Sequence, residues 1–222
     1  MVNCDLVIVK EFEDFILDKS FPCVAAKTAL KRLQIKSLVV GNIACPKDDA
    51  AILSFLYDFV DTYRTSTSDF HSAVIIFKGT ENLDENIFDN LLWRRLQSLS
   101  DLDAKNYSYD KRVDINPASS NFSFSLKQEA FFIIGMNPSS IRAARKFKYA
   151  ALIFNPHAQF EKLRSTNGFE KMKNIVRKRE LEYSGSVNPM LDDFGTSSEV
   201  YQYSGVKYKN NWQCPLKISH TR

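Results

Sequence analysis

A chain of 222 residues with 44% hydrophobic and 25% charged residues is long enough for one domain core and close to the globular average. Its 7 Gly and 7 Pro exclude collagen-like and disordered classes. The 30 Lys and Arg against 26 Asp and Glu leave a formal charge of +4, too small to demand a nucleic-acid partner.

In chain order, residues 7–18 read as a helix that stops before Phe21-Pro22, and Ala25 to Leu33 as a second helix of strong helix formers. Ser37 to Gly41 is short, apolar and β-branched, which predicts a strand. Asp48 or Asp49 is placed to cap the next helix, whose Ile52, Leu53, Leu56, Phe59 and Val60 recur at helical spacing. Ser72 to Phe77 predicts a buried strand, and Asn86 to Leu99 returns to helical period. Residues 101–120 form the longest polar stretch, which fits a lid or a plain connector equally. Phe122 to Ser125 alternates, Leu126 to Glu129 offers a turn and Ala130 to Gly135 is apolar. These predict a β-hairpin with one wet and one buried strand. Ala150 to Asn155 predicts a further strand and His157 to about Lys178 a long helix, and beyond Tyr183 the chain reads as irregular. Strands mix with helices without regular βαβ alternation. The expected fold is α+β: a single domain over residues 1–222, with a central mixed or antiparallel sheet covered by helices.

No apolar run approaches the roughly 20 residues of a bilayer span, and the first residues lack the basic and small-residue signature of a signal peptide. Cys4, Cys23, Cys45 and Cys214 are scattered without a CxxC pair, the spacing of neither a disulfide framework nor a zinc site. A reduced, cytoplasmic protein is expected. Aromatic residues reach 13%, with 17 Phe, which points to a large core or a ring-lined pocket.

Nucleotide-binding glycine motifs, the HExxH zinc motif and the GxSxG nucleophile elbow are all missing from the sequence. Of three histidines, His71 opens a predicted strand and His220 lies near the C-terminal end, so both read as structural or surface residues. His157 stands at the junction of a strand and a helix, where an imidazole can ligate a metal, act as a base, or serve as a polar helix start. Between Ile141 and Leu181 there are 11 Lys or Arg against 3 acidic residues, an excess that suits carboxylate or phosphate groups or a solvated helix face. The loop from Gly185 to Gly205 carries Asp193 and Glu199. Glu199 can pair with a cationic substrate or cap a helix beginning at Ser197 or Ser198.

Taken in order, Phe21 to Leu30, the Leu91–Leu99 helix, the Phe122–Gly135 hairpin, Pro138 to Arg145, Phe154 to Arg164, Gly185 to Leu191, Ser198 to Gly205 and Trp212 to Pro215 resemble one family. It is the YqcI/YcgG family, and within it the GntA-like branch of haem-dependent guanidine N-hydroxylases. The resemblance implies haem b, an axial histidine, and dioxygen or peroxide as oxidant. It also implies a guanidino or amino substrate such as arginine or a derivative. On that reading His157 ligates the iron, Arg142 and Arg145 hold the haem propionates, and Glu199 or Asp193 holds the substrate cation. The family's pattern reads Gly-Leu/Met-His-Pro where this chain has Gly135-Met-Asn-Pro138, so Asn137 stands where relatives carry a second candidate ligand. Cys23 is a third. The expected activity is haem-dependent N-hydroxylation supported by an electron donor or peroxide. The alternatives are a haem-binding or sensing module without turnover, and a basic-surface nucleic-acid or anion binder. A homodimer completing the pocket is a further expectation.

Overall fold

The computed structural model describes residues 4–68, 70–165, 168–184, 195–209 and 211–221. Helix α1 (Cys4–Leu17) turns Ile8, Phe12 and Ile16 inward as one stripe. Helix α2 (Val24–Lys31) starts where the Cys23 sulfur accepts the Ala26 N–H at 3.4 Å. Strand β1 (Ile35–Val40) follows, and then α3 (Asp49–Thr65), which buries Ile52, Leu53, Leu56, Phe59 and Val60 as the spacing predicts. Neither aspartate caps α3. The Asp48 carboxylate accepts the Gly41 N–H at 2.8 Å, and Asp49 turns inward to a buried ion pair with Arg95.

Strand β2 (Ser72–Phe77) has the expected limits. Helix α4 (Glu85–Asp103) begins earlier than expected, because Asp84 caps it by accepting the Asn86 and Ile87 N–H groups. Strands β3 (Phe124–Leu126), β4 (Glu129–Met136) and β5 (Ala150–Pro156) complete the sheet. Helices α5 (His157–Ser165), α6 (Gly168–Ser184) and the short α7 (Val200–Tyr203) follow.

The five strands lie in the order β1-β2-β5-β4-β3. β1 and β2 are parallel because α3 carries the chain back across the sheet between them, whereas β2-β5, β5-β4 and β4-β3 are antiparallel. The fold is therefore α+β with a mixed sheet. Every residue of β2 and β5 is buried, so each strand feeds alternate side chains into cores on both faces. Ala73, Ile75, Leu152 and Phe154 join α3 and α4 on one face. Val74, Ile76, Ala151 and Ile153 join α1 and α2 on the other.

The hairpin strand expected to be wet is buried throughout. The segment after α4 lies along it as a strap: Tyr109 is buried and its hydroxyl donates to the Ser123 carbonyl at 2.6 Å, while the Asp110 N–H donates to Ser125 Oγ at 3.1 Å. The C-terminal tail holds the strap in place, since Tyr109 N–H donates to the Thr221 carbonyl and His220 pairs with buried Asp103 at 2.8 Å. His71 is likewise packed, against Ser66 and the Tyr63 ring.

Candidate functional site

The two faces differ in how they are filled. On the α1/α2 face a cavity of about 290 Å³ remains, at the small end of the range for ligand sites. Phe12 and Ile16 of α1, Ala26 and Ala29 of α2, and Val74 and Ile153 of the sheet line it. Short alanine side chains on α2 leave this space open. Its polar lining includes Asn155, His157, Gln159, Arg164, Arg177 and Glu199.

His157 is the first residue of α5, directly after the last strand residue Pro156, so the strand end aims it over the sheet. It is only 7% exposed. Burial holds its pKa below the ordinary histidine value, with Glu161 pulling the other way, so the ring is neutral near pH 7. Its Nδ1 lies 3.3 Å from Ser123 Oγ. Ser123 donates its single hydroxyl proton to Glu199 Oε1 at 2.6 Å, so its oxygen offers an acceptor to Nδ1, and the tautomer with Nδ1–H and its lone pair on Nε2 forms when the Glu161 acceptor facing Nε2 turns away. Nε2 is 3.3 Å from Oε1 of Glu161, a half-exposed side chain that also pairs with Arg164.

Glu199 precedes α7 but does not cap it. Its carboxyl turns inward, where Ser123 and the Tyr203 hydroxyl both donate to Oε1. Burial pushes its pKa up to about 8, although those two hydrogen bonds favour the ionised form. Tyr203, fully buried, also accepts the Phe124 N–H at 3.1 Å, and burial raises its pKa well above the usual phenol. His157, Ser123, Glu199 and Tyr203 thus form one hydrogen-bonded line at the cavity wall.

The sequence-predicted residues divide. His157 and Glu199 meet at this wall. Arg142 and Arg145 do not line the cavity. Arg142 is buried in an ion pair with Glu180, and Arg145 donates to the Tyr203 carbonyl at 3.0 Å, pressed so close to Gly205 (φ +86°) that a Cβ there would meet its side chain at 2.8 Å. The two arginines instead tie α6 and α7 to the scaffold. Their burial also takes them out of any basic surface patch. Asp193 lies outside the described residues. Cys23 borders the cavity, but burial raises its pKa and keeps it a thiol. Asn137 is fully buried in the turn after β4, where its side chain accepts the Ser139 N–H at 3.0 Å, and it does not reach the cavity.

Sequence reasoning missed Ser123, Tyr203, Arg164 and Arg177. The alternation of Phe122 to Ser125 carried the signal for Ser123, but a polar residue on alternate positions reads as solvent-facing unless the strap covering it is known.

No group of three His, Cys, Asp or Glu side chains among the described residues is arranged to hold a bare metal ion. A haem asks for less, because its macrocycle supplies four nitrogens and the protein need add only one. A neutral imidazole whose lone pair is directed by Ser123, at the edge of an apolar hollow with two arginines on its rim, has the donor chemistry that haem requires. Glu161 must turn outward for Nε2 to ligate.

Residues 12–217 match the YqcI/YcgG family. The protein described as uncharacterized YqcI of Bacillus subtilis (strain 168) is 29% identical over 190 residues, covering 82% of this chain and 74% of that one. Uncharacterized YcgG of the same organism is 25% identical over 183 residues, covering 79% and 71%. No solved structure matches significantly. No helix among the described residues is long and apolar enough to cross a membrane. The chain belongs to the YqcI/YcgG family.

Proposed function

We propose that this family member is a haem-dependent oxygenase that N-hydroxylates a guanidino or amino substrate. The observation that carries the proposal is the line from His157 through Ser123 to Glu199: one neutral donor and one buried carboxyl set side by side on an apolar cavity. Bound haem would supply oxygen activation. His157 would hold it through Nε2, with Arg164 and Arg177 on the cavity rim as partners for the propionates in place of Arg142 and Arg145.

Glu199 is the substrate anchor. With its pKa near 8 it is largely protonated at neutral pH, and a guanidinium brought beside it favours the carboxylate. Substrate binding therefore releases a proton, and the resulting ion pair orients one guanidine nitrogen toward the cavity. The apolar walls exclude water from that nitrogen.

The test is a spectrum of the purified full chain titrated with haem. A Soret band should appear, be lost or strongly shifted in His157→Ala, and respond to L-arginine or agmatine in the native chain but not in Glu199→Gln. A native Soret band in His157→Ala refutes the ligand assignment. Absence of any band refutes the haem reading. Haem uptake without hydroxylated product, given a reductant with dioxygen or given peroxide, supports instead a binding module without turnover.

A further inference from the structure

Behind the Glu199 carboxyl the aromatic side chains do not simply fill space; they form a continuous path to the surface. Tyr203 lies against Trp93 with ring centroids 5.9 Å apart and planes at 25°. Its other side meets Phe132 of the cavity lining at 6.1 Å. Trp93 is buried, and its Nε1–H donates both to Tyr208 OH at 3.1 Å and to Asp89 Oδ1 at 3.0 Å. Tyr208 in turn donates to Asp89 and stacks on Trp212 at 3.7 Å and 14°. Trp212 and Tyr208 are both partly exposed. Stacking of this kind is ordinary core packing. What packing does not require is that each phenol at the two ends of the path should have its own carboxylate: Glu199 at Tyr203, Asp89 at Tyr208.

We propose that Tyr203, Trp93 and Tyr208 form a one-electron relay between the cavity and the surface, with Trp212 as its outer contact. The relay rests on the haem reading above and adds to it a second reaction, the reduction of peroxide that no substrate has used, since hydroxylation by peroxide itself takes no external electrons. A tyrosine is a feasible one-electron donor only if its proton leaves with the electron, and a carboxylate on the phenol provides for that.

The oxidant is hydrogen peroxide, whose reduction to two waters takes two electrons and two protons. Above about pH 8, where Glu199 is ionised, Tyr203 gives one electron toward the cavity and its phenolic proton to the Glu199 carboxylate. Trp93 then gives an electron to the Tyr203 radical, and Glu199 returns the proton. Tyr208 gives an electron to the Trp93 cation and its proton to Asp89. A soluble one-electron reductant of the ascorbate class refills Tyr208, a proton returning from Asp89. Two such passes consume one peroxide, with its two protons drawn from solvent.

The experiment is freeze-quench electron paramagnetic resonance at pH 9 of the haem-loaded full chain after hydrogen peroxide, with ring-deuterated tyrosine to identify the radical. The native chain should show a tyrosyl signal that spin trapping and mass spectrometry place on Tyr208. Trp93→Phe should reduce the Tyr208 adduct several-fold while the Soret band is retained, and Tyr208→Phe, a change at a partly exposed ring, should abolish it. An undiminished adduct in folded, haem-loaded Trp93→Phe overturns the relay, as does a native chain that takes up haem yet forms no protein radical. Failure to take up haem is a separate result: it removes the haem reading and the relay with it.

Discussion

The two faces of the sheet use the same strands to different ends. On the α3/α4 face, large side chains share one core: Phe88, Leu92, Leu96, Leu99, Phe131 and Phe154 are all fully buried in it. The fit is tight enough that a Cβ built on Gly135 would meet Leu92 at 2.6 Å and Phe88 at 2.9 Å. On the α1/α2 face, the residues opposite the same strands include Ala25, Ala26 and Ala29, and a hollow remains. The first face supplies stability; the second gives up packing for a site. Buried polar groups line part of the hollow, where desolvation shifts their titration and gives them chemical use.

Mutations can break this contrast. Leu96→Ala on the filled face should cost about 2–5 kcal/mol, because the close-packed surroundings relax little around the space left behind. Urea unfolding monitored by circular dichroism measures the cost, and a loss far below that range would mean the face is looser than the structure shows.

Glu199 yields the next largest effect, and it depends on pH. An unfolded glutamate titrates near 4.5, whereas Glu199 in the fold titrates near 8. Between these values the native protein keeps a proton that the unfolded chain has lost. Its contribution to stability is therefore full below the lower value and lost as pH rises toward the upper one, a change on the order of a few kcal/mol. Glu199→Gln keeps an acceptor for Ser123 and Tyr203 but has no proton to lose. The difference in unfolding free energy between native and variant chains should change steadily from pH 5 to pH 8 in the variant's favour. A constant difference would place the carboxyl in contact with water. His157 has the opposite sign, since burial lowers its pKa and its contribution is lost as pH falls, and comparison with the variant cancels it.

The smallest effect sharpens the contrast most. Ala26→Leu exchanges one good helix former in α2 for another and extends a side chain into the hollow. Stability should change by less than about 1.5 kcal/mol, because the added methyl groups enter space rather than displace neighbours. Haem uptake, read as the Soret absorbance, should fall sharply. An unchanged titration would mean that any cofactor sits elsewhere.

Much of the fold can be read along the chain. The helical spacing of Ile52 to Val60 and the unbroken apolar run of Ser72 to Phe77 locate α3 and β2, because a buried element writes its period into neighbouring residues. His157 stood out for a similarly local reason, the passage from strand to helix. The Arg142 and Arg145 assignments show where local reading stops. Their charge suggested an anion site, but Glu180 and the Tyr203 carbonyl, brought in from α6 and α7, engage both.

Composition and periodicity by themselves determined the class of the protein, most of its elements and the two-sidedness of its central strands, since each follows from side chains a few positions apart. Only the tertiary structure decided that Ser123 meets His157 and Glu199, 34 and 76 residues away. It also decided that α2's alanines face a hollow. Such meetings depend on how the chain crosses the sheet and what covers each edge, and no short stretch of sequence encodes that.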